Sequence, residues 1–109
     1  MANDDTEPVI TLFRSRLRAD AAANGYEDVA VRLEARARAM PGLLEFKVFT
    51  APDGERVSVI VFDTPEHHDA WRDDPEHREA QQRGRDRFYA EYEISVCRPL
   101  RRARFTHRR

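Results

Sequence analysis

The residue types best suited to chemistry are concentrated in one polar segment of the second half of the chain. The segment HHDAWRDDPEHREAQQ, residues 67–82, contains the one tryptophan, Trp71, and three of the four histidines. It has no Leu, Ile or Val, so the indole is the main apolar group that a helix formed here can bury. Imidazoles exchange protons near neutral pH, and an indole offers a rigid ring with an N–H donor. The segment therefore has the groups needed to hold a ligand and to accept a proton.

The spacing of the histidines does not favour a metal site. His67, His68 and His77 form neither an HxxxH nor an HExxH pattern, and no cysteine accompanies them. Adjacent histidines on a helix also point about 100 degrees apart. We therefore predict no bound metal.

Length and charge exclude several classes of protein. A chain of 109 residues suits one domain with a modest core. A formal net charge of -1 gives no signal for nucleic acid or an anionic membrane, and no apolar run approaches the roughly 20 residues of a transmembrane helix. The single Cys97 cannot close an internal disulfide, and the acidic start MANDDTEP is unlike a signal peptide. These features predict a cytoplasmic protein that binds neither nucleic acid nor membrane.

The elements that must position the polar segment can be predicted from periodicity. VITLFRSRLR (9–18) passes into alternation typical of a strand, and residues 27–40 have helical spacing up to Pro41-Gly42. LLEFKVFT (43–50) and RVSVIVFD (56–63) form a hairpin around Asp53-Gly54.

The second half of the chain completes the pattern. Thr64-Pro65 and Asp74-Pro75 mark two successive helix starts, hence a helix broken near residue 74. A fourth strand follows at about 92–100. The order β-α-β-β-α-β predicts an α+β, ferredoxin-like antiparallel sheet with the helices on one face. We expect a disordered segment at 1–8, one domain at 9–100 and a basic tail at 101–109.

Both faces of the predicted hairpin are apolar, which is unusual for a sheet covered by helices on one side. Val57, Val59 and Val61 point one way, whereas Ile60 and Phe62 point the other way. By the same alternation Leu44, Phe46 and Val48 are expected opposite Leu43 and Phe49. The second face needs a cover, which predicts a homodimer packed sheet to sheet.

Three stretches together resemble a known family. VITLFRSRLR, PGLLEFKVF and HHDAWRDDPEHREAQQRGRDRFYAEYEISVCR are similar to the antibiotic biosynthesis monooxygenase domain of the dimeric α+β barrel superfamily, over about residues 9 to 100. The most specific part is a Trp followed by a short polar link, Pro-Glu-His and a Gln-containing helix. The resemblance implies a ferredoxin-like protomer, a homodimer and a pocket between sheet and helices in each subunit.

The resemblance also implies a chemistry. Some members oxidise polycyclic phenolic or quinone-like substrates with molecular oxygen and without metal or flavin. The deprotonated substrate then supplies the electrons, while the protein accepts a proton, holds the flat ring and excludes water. The implied function is a cofactor-independent monooxygenase that acts on an aromatic polyketide or quinol-type substrate.

Candidate residues for these tasks follow from the resemblance and from helix geometry. Trp71 suits the ligand platform, and His77 suits the proton acceptor because a helix N-terminus lowers its pKa and favours the neutral ring. Gln81 lies one helical turn after His77 and could orient a ligand carbonyl. His67, one turn before Trp71, is a second candidate base, at a position where oxygenating members tend to carry asparagine. We therefore expect the catalytic residues His77, His67 and Trp71, and ligand contacts from Trp71, Gln81, Phe88, Phe13 and Phe62.

Several alternatives stay open at this point. Trp71 could instead serve only to anchor a polar helix to the sheet. In a second hypothesis the protein is a non-catalytic binding protein for a small aromatic molecule, which also uses Trp71 but requires no titrating histidine. A haem-degrading monooxygenase of the same superfamily would use His77 or His67 as the iron ligand, but the first strand lacks the asparagine that such a pocket uses. The tail RRARFTHRR is interpreted as a solvated segment or as an arm that packs on a second protomer.

Overall fold

A computed structural model describes residues 8–108 of the chain. Two halves with the order β-α-β are joined by a hairpin, which confirms the predicted sequence of elements. The elements are β1 (Val9–Leu17), α1 (Tyr26–Arg38), β2 (Leu43–Thr50), β3 (Arg56–Phe62), α2 (Pro65–Arg72), α3 (Pro75–Arg83), a π-helical turn (Gly84–Phe88) and β4 (Tyr89–Cys97).

The four strands form one antiparallel sheet in the order β2-β3-β1-β4. Phe13 of β1 lies opposite Ser58 of β3 and Ile94 of β4, and this register fixes which side chains share a face. The arrangement is the predicted ferredoxin-like fold.

Capping residues define the helices around the polar segment. The Thr64 Oγ1 accepts a hydrogen bond from the His67 backbone N–H at 3.2 Å, and the Asp74 carboxylate accepts one from the His77 N–H at 3.0 Å. Pro65 and Pro75 occupy the first positions of α2 and α3, where the missing N–H costs no hydrogen bond. The predicted break near residue 74 is confirmed.

Two local irregularities depart from simple alternation. The register between β2 and β3 shifts between Leu43 and Glu45, and Leu43 therefore pairs with Phe62. Leu43 packs on the core, on the same face of the sheet as Phe46, whereas alternation predicted that the two side chains lie on opposite faces. The π-helical turn ends at Phe88, and β4 therefore begins at Tyr89 instead of near residue 92.

The core lies between the helices and one face of the sheet. Ala37 of α1, Phe62 of β3 and Trp71 of α2 form its buried centre. The opposite face of the sheet has an apolar centre, as predicted, with Arg14, Glu45 and Lys47 on the same face. The apolar side chains of this face remain partly exposed: Ile10, Leu12, Val57, Val59 and Val61.

Residues 1–7 of the predicted N-terminal segment lie outside the described residues, whereas Pro8 is buried. Residues 101–108 are exposed and form neither helix nor strand. Among residues 8–108, no helix has the length and apolar character needed to cross a membrane.

Candidate ligand-binding and catalytic site

A cavity of about 430 Å³ lies between the helix-facing side of the sheet and the helices α1, α2 and α3. Alternate residues of all four strands line its floor, including Phe13, Phe46, Ile60 and Ile94. The volume falls in the range of cavities that hold small organic molecules, and the lining is predominantly apolar. The cavity is therefore suited to an organic ligand with few polar groups.

Trp71 and His77 form a stacked pair of rings on the cavity wall. Their rings stack nearly in parallel, with centroids 4.0 Å apart and an interplanar angle of 11°. The His77 Nδ1 lies 2.9 Å from the Trp71 carbonyl oxygen. Both residues line the cavity, so the break between α2 and α3 creates a rigid pair of rings on its wall.

The contact to the carbonyl determines which nitrogen of His77 can act as a base. A carbonyl oxygen only accepts hydrogen bonds, so Nδ1 carries the proton in the neutral ring and donates it to Trp71. The Nε2 atom then has the free lone pair. Burial lowers the pKa of His77 below its ordinary value of about 6.5, against the opposing effects of the Trp71 carbonyl and Asp74. His77 is thus neutral, and able to accept a proton at Nε2, at neutral pH.

Asp74 fixes the position of this ring pair. It is 7% exposed and caps α3 through the His77 N–H, while Arg36 of α1 binds its Oδ1 at 2.7 Å. The hydrogen bond from Arg36 lowers the pKa of Asp74, with burial acting in the opposite direction. Asp74 therefore links α1 to the start of α3 and holds the His77 backbone in place.

The structure brings five of the seven predicted site residues together. Trp71, His77, Gln81, Phe88 and Phe13 all line the cavity. Phe62 is fully buried beneath Trp71 in the core and does not reach the cavity surface. It supports the site from below.

His67 lies outside the cavity lining. Its Nδ1 binds the Asp63 Oδ1 at 2.7 Å, and this hydrogen bond lowers the pKa of Asp63. The pair lies against Gly42, whose φ of +84° and missing Cβ leave room for it. This geometry associates His67 with the turn before β2, and it gives no support to the predicted catalytic role.

The neighbouring His68 faces the cavity in its place. It is 8% exposed, and its Nδ1 lies 2.9 Å from the Asp69 Oδ1. Residues three and four apart share a helix face, so the spacing to Trp71 allowed either histidine of the pair. Only the cap at Thr64 and the packing of the short α2 determine which one turns inward.

The other end of the cavity is formed by aromatic residues, of which the sequence did not predict Tyr26, Tyr89 and Tyr92. The Phe13 ring is 5.2 Å from the rings of both Tyr89 and Tyr92, and Tyr26 of α1 packs edge-on against Phe88. Tyr92 alternates with Ile94 and Val96 on β4, so period-two spacing could have placed it in the site.

Tyr89 is held tightly in this cluster. Burial raises the pKa of its phenol well above the usual range, and the nearby Tyr26 adds to the effect. Gly84 lies directly against the Tyr89 ring, because a Cβ at residue 84 would meet that ring at 2.6 Å. The space beside Gly84 is therefore filled by Tyr89.

The described residues contain no cluster of three or more His, Cys, Asp and Glu side chains that could hold a metal ion. His68 and His77 are both on the cavity wall, and each directs its Nδ1 to an oxygen of the protein. The cavity groups with chemistry to offer include two imidazoles, an indole, a carboxamide, several phenols and the guanidinium groups of Arg56 and Arg72.

Comparison with known proteins agrees with this fold. The family model described as antibiotic biosynthesis monooxygenase matches residues 8–83, and the chain belongs to this family. Uncharacterized protein YqjZ of Bacillus subtilis (strain 168) is 30% identical over 81 residues, which cover 74% of this chain and 71% of the relative.

Solved structures share the fold at low sequence identity. Rv0793 from Mycobacterium tuberculosis superposes with a TM-score of 0.76 at 20% identity, over 89% of this chain and 99% of that chain. SnoaB from Streptomyces nogalater, a cofactor-independent oxygenase, superposes with a TM-score of 0.70 at 19% identity, over 92% of this chain and 96% of that chain. At these identities the similarity establishes a monooxygenase-like α+β fold.

Proposed function

We propose that this protein is a cofactor-independent monooxygenase that oxidises a planar aromatic polyketide or quinol-type substrate with molecular oxygen. The observation that carries the proposal is the Trp71–His77 ring pair, with Nδ1 tied to a carbonyl and a lowered histidine pKa, on the wall of an apolar cavity. Membership of the family and the fold shared with SnoaB support it.

His77 has the protonation state that the first step requires. A phenol or an activated ring CH₂ becomes electron-rich on losing a proton, and the Nε2 of neutral His77 is the acceptor. Because burial lowers the pKa of His77, the ring is unprotonated across the neutral range. Activity is therefore expected to rise with pH through the His77 pKa, at a pH below about 6.5, and then to level off.

The remaining steps need only the substrate and oxygen. For an anthrone-type substrate, the carbanion transfers electrons to O₂ and a C–O bond forms, giving a peroxide anion that takes back the proton held by His77 and becomes a hydroperoxide. Loss of water then gives the quinone, so one oxygen atom enters the product and the other leaves as water. The substrate supplies all four electrons, and the apolar lining protects the intermediate from solvent.

Trp71 has a supporting role in this proposal. It is 4% exposed and belongs to the core cluster, so it offers little free surface to a ligand. Its contribution is to hold the His77 ring, and Gln81, one turn further along α3, is placed to bind a ligand carbonyl.

Oxygen uptake by the purified, metal-stripped protein tests the proposal. Uptake is measured with anthrones, hydroquinones and haem, in the wild type and in His77→Ala, His67→Ala and Trp71→Phe. We expect uptake with an anthrone or a hydroquinone and a loss of about 100-fold or more in His77→Ala, the range for removing a general base. His67→Ala is the matched control and should retain activity.

A non-catalytic binding protein is the second candidate, and the predominantly apolar lining of the cavity favours it. Quenching of Trp71 fluorescence by these ligands without oxygen uptake would select this function. Uptake with haem alone would point to haem degradation instead.

We propose that the protein is a homodimer and that it is located in the cytoplasm. Val57, Val59 and Val61 form an apolar row on the sheet face opposite the helices, and a second copy is the partner whose surface matches it. We also propose one functional domain over residues 9–100, with the exposed segment after residue 100 as a tail.

A further inference from the structure

Arg56 occupies a distinctive position in the cavity, far from His77. It is the first residue of β3, six residues before Phe62, which packs against Trp71. At about 3.3 Å per residue, the two ends of β3 are about 20 Å apart. Arg56 therefore lies at the opposite end of the sheet from the Trp71–His77 ring pair.

The register of the sheet places Arg56 in a row with two other polar residues. Ser15 of β1 pairs with Arg56 on one side and with Tyr92 on the other, and all three line the cavity. Ser15 is small and 5% exposed, so the row has two long polar side chains with a notch between them. The space over Ser15, between the side chains of Arg56 and Tyr92, is a recess that suits a group smaller than an aromatic ring.

The charge of Arg56 is not matched within the described residues. Arg72, the other arginine of the cavity lining, binds Asp73 and Asp69, and Arg14 of β1 binds Glu55. Arg56 instead lies over the Tyr26 ring, 5.6 Å from its centroid, and no carboxylate of residues 8–108 lies within 4.0 Å of it. Most of the N–H donors of the Arg56 guanidinium are therefore available to a ligand.

Tyr92 adds a donor to the same recess. The Tyr92 hydroxyl oxygen accepts a hydrogen bond from the Arg85 Nη1 at 3.1 Å, which leaves its own O–H free to donate. Two carboxylates of α1 border the cavity, but Glu34 is bound by Arg38 and Glu27 is exposed. The recess itself therefore presents donors and positive charge.

We propose that Arg56, with Tyr92 and Ser15, forms an anion subsite, and that the ligand is a planar aromatic molecule with a carboxylate at the end remote from its reactive ring. Guanidinium and carboxylate form paired, charge-assisted hydrogen bonds, which favour a ligand of one orientation. The inference rests on the proposed binding of an aromatic ligand in this cavity, and it names the substrate class of that site.

Binding of two matched probes tests this subsite. Anthraquinone-2-carboxylate and the neutral 2-(hydroxymethyl)anthraquinone share the same ring system and differ in charge. Quenching of Trp71, the one tryptophan, gives the affinity of each probe for the wild type, Arg56→Gln and Arg32→Gln. Arg32 is exposed on α1 and outside the cavity lining, so Arg32→Gln is the matched loss of charge.

We expect the wild type and Arg32→Gln to bind the carboxylate about tenfold more tightly than the neutral probe. Arg56→Gln should lose that preference and bind the neutral probe as the wild type does. Equal binding of both probes by the wild type, or an equal loss for both in Arg56→Gln, would overturn the anion subsite while the cavity proposal stands. If neither probe quenches Trp71, ligand binding in the cavity fails and the subsite fails with it.

Discussion

Trp71 and His77 are joined twice, by a ring stack at 4.0 Å and by a hydrogen bond of 2.9 Å from the His77 Nδ1 to the Trp71 carbonyl oxygen. The two contacts fix both the plane of the imidazole and its tautomer. The break between α2 and α3 makes this possible, because Pro75 has no N–H to donate to the Trp71 carbonyl, which accepts instead from the Asp74 backbone N–H at 3.2 Å and from the His77 ring.

The ring stack predicts a fluorescence signal that follows the protonation of His77. A protonated imidazole in contact with an indole quenches its emission, so Trp71 fluorescence should fall as the pH is lowered. Because burial lowers the His77 pKa, the midpoint should lie below about 6.5. A fluorescence titration of the folded protein between pH 8 and the onset of acid unfolding measures it.

His77→Gln should abolish this titration, and His67→Gln should leave it unchanged because His67 binds Asp63 outside the cavity. Persistence of the transition in His77→Gln would assign it to another group, of which His68 is the nearest candidate on the cavity wall.

Much of the fold was predictable because the strands alternate so regularly. Ile60 and Phe62 face the helices whereas Val59 and Val61 do not, as period-two spacing requires. The two proline-marked helix starts were equally clear. Leu43 was misplaced because a β-bulge adds one residue to the strand, and nothing in the local sequence signals it.

The site was less predictable, since it depends on how elements meet. In the sequence Arg56 looks like any other residue of a strand. Its place in the site follows from the positions of Tyr26 of α1 and Tyr92 of β4, which only the folded chain brings near it. The choice between His67 and His68 likewise depends on the rotation of a helix of eight residues. The five predicted residues on the cavity wall were found from the family resemblance, from helical spacing over residues 71–88 and from the alternation in β1.

Asp74→Asn is expected to destabilise the protein by about 1–2 kcal/mol. The substitution weakens the cap of α3 and removes the charge that binds Arg36 across the helix interface. In the wild type the pKa of Asp74 is lower in the folded state than in the unfolded state. The stability that the Asp74 carboxylate contributes is therefore present above the ordinary aspartate pKa of about 4 and is lost as the pH falls through the folded-state pKa.

Urea unfolding at pH 7 and at pH 3 measures the effect. Asp73→Asn is the control, because Asp73 is exposed and binds Arg72 at the surface, where such pairs contribute about 0–1 kcal/mol. Equal free energies of unfolding for the two variants at pH 7 would contradict a structural role for Asp74.

Gly42→Ala should destabilise the protein more than Gly54→Ala does. Both glycines have a positive φ, which costs an alanine about 1–2 kcal/mol. At Gly42 the added Cβ also meets the side chains of Asp63 and His67, whereas at Gly54 it meets no atom within 4 Å. The difference in the free energy of unfolding between the variants therefore reports the contact with the His67–Asp63 pair, and equal values would show that the pair moves aside without cost.

Val59→Glu is expected to break the proposed homodimer without unfolding the protomer. Val59 lies between Leu12 and Lys47 in the register of the sheet, on the apolar face opposite the helices, and is partly exposed in the single chain. A carboxylate there stays hydrated in the monomer but would lose its water in a sheet-to-sheet interface, at a cost of several kcal/mol.

Light scattering should give the wild type about twice the chain mass of 12.7 kDa and Val59→Glu a mass near 12.7 kDa. Val31→Glu, an equally charged change on the exposed side of α1, should leave the mass of the wild type unchanged. A wild-type mass of one chain at the same concentration would exclude the dimer and leave the apolar face without the partner proposed for it.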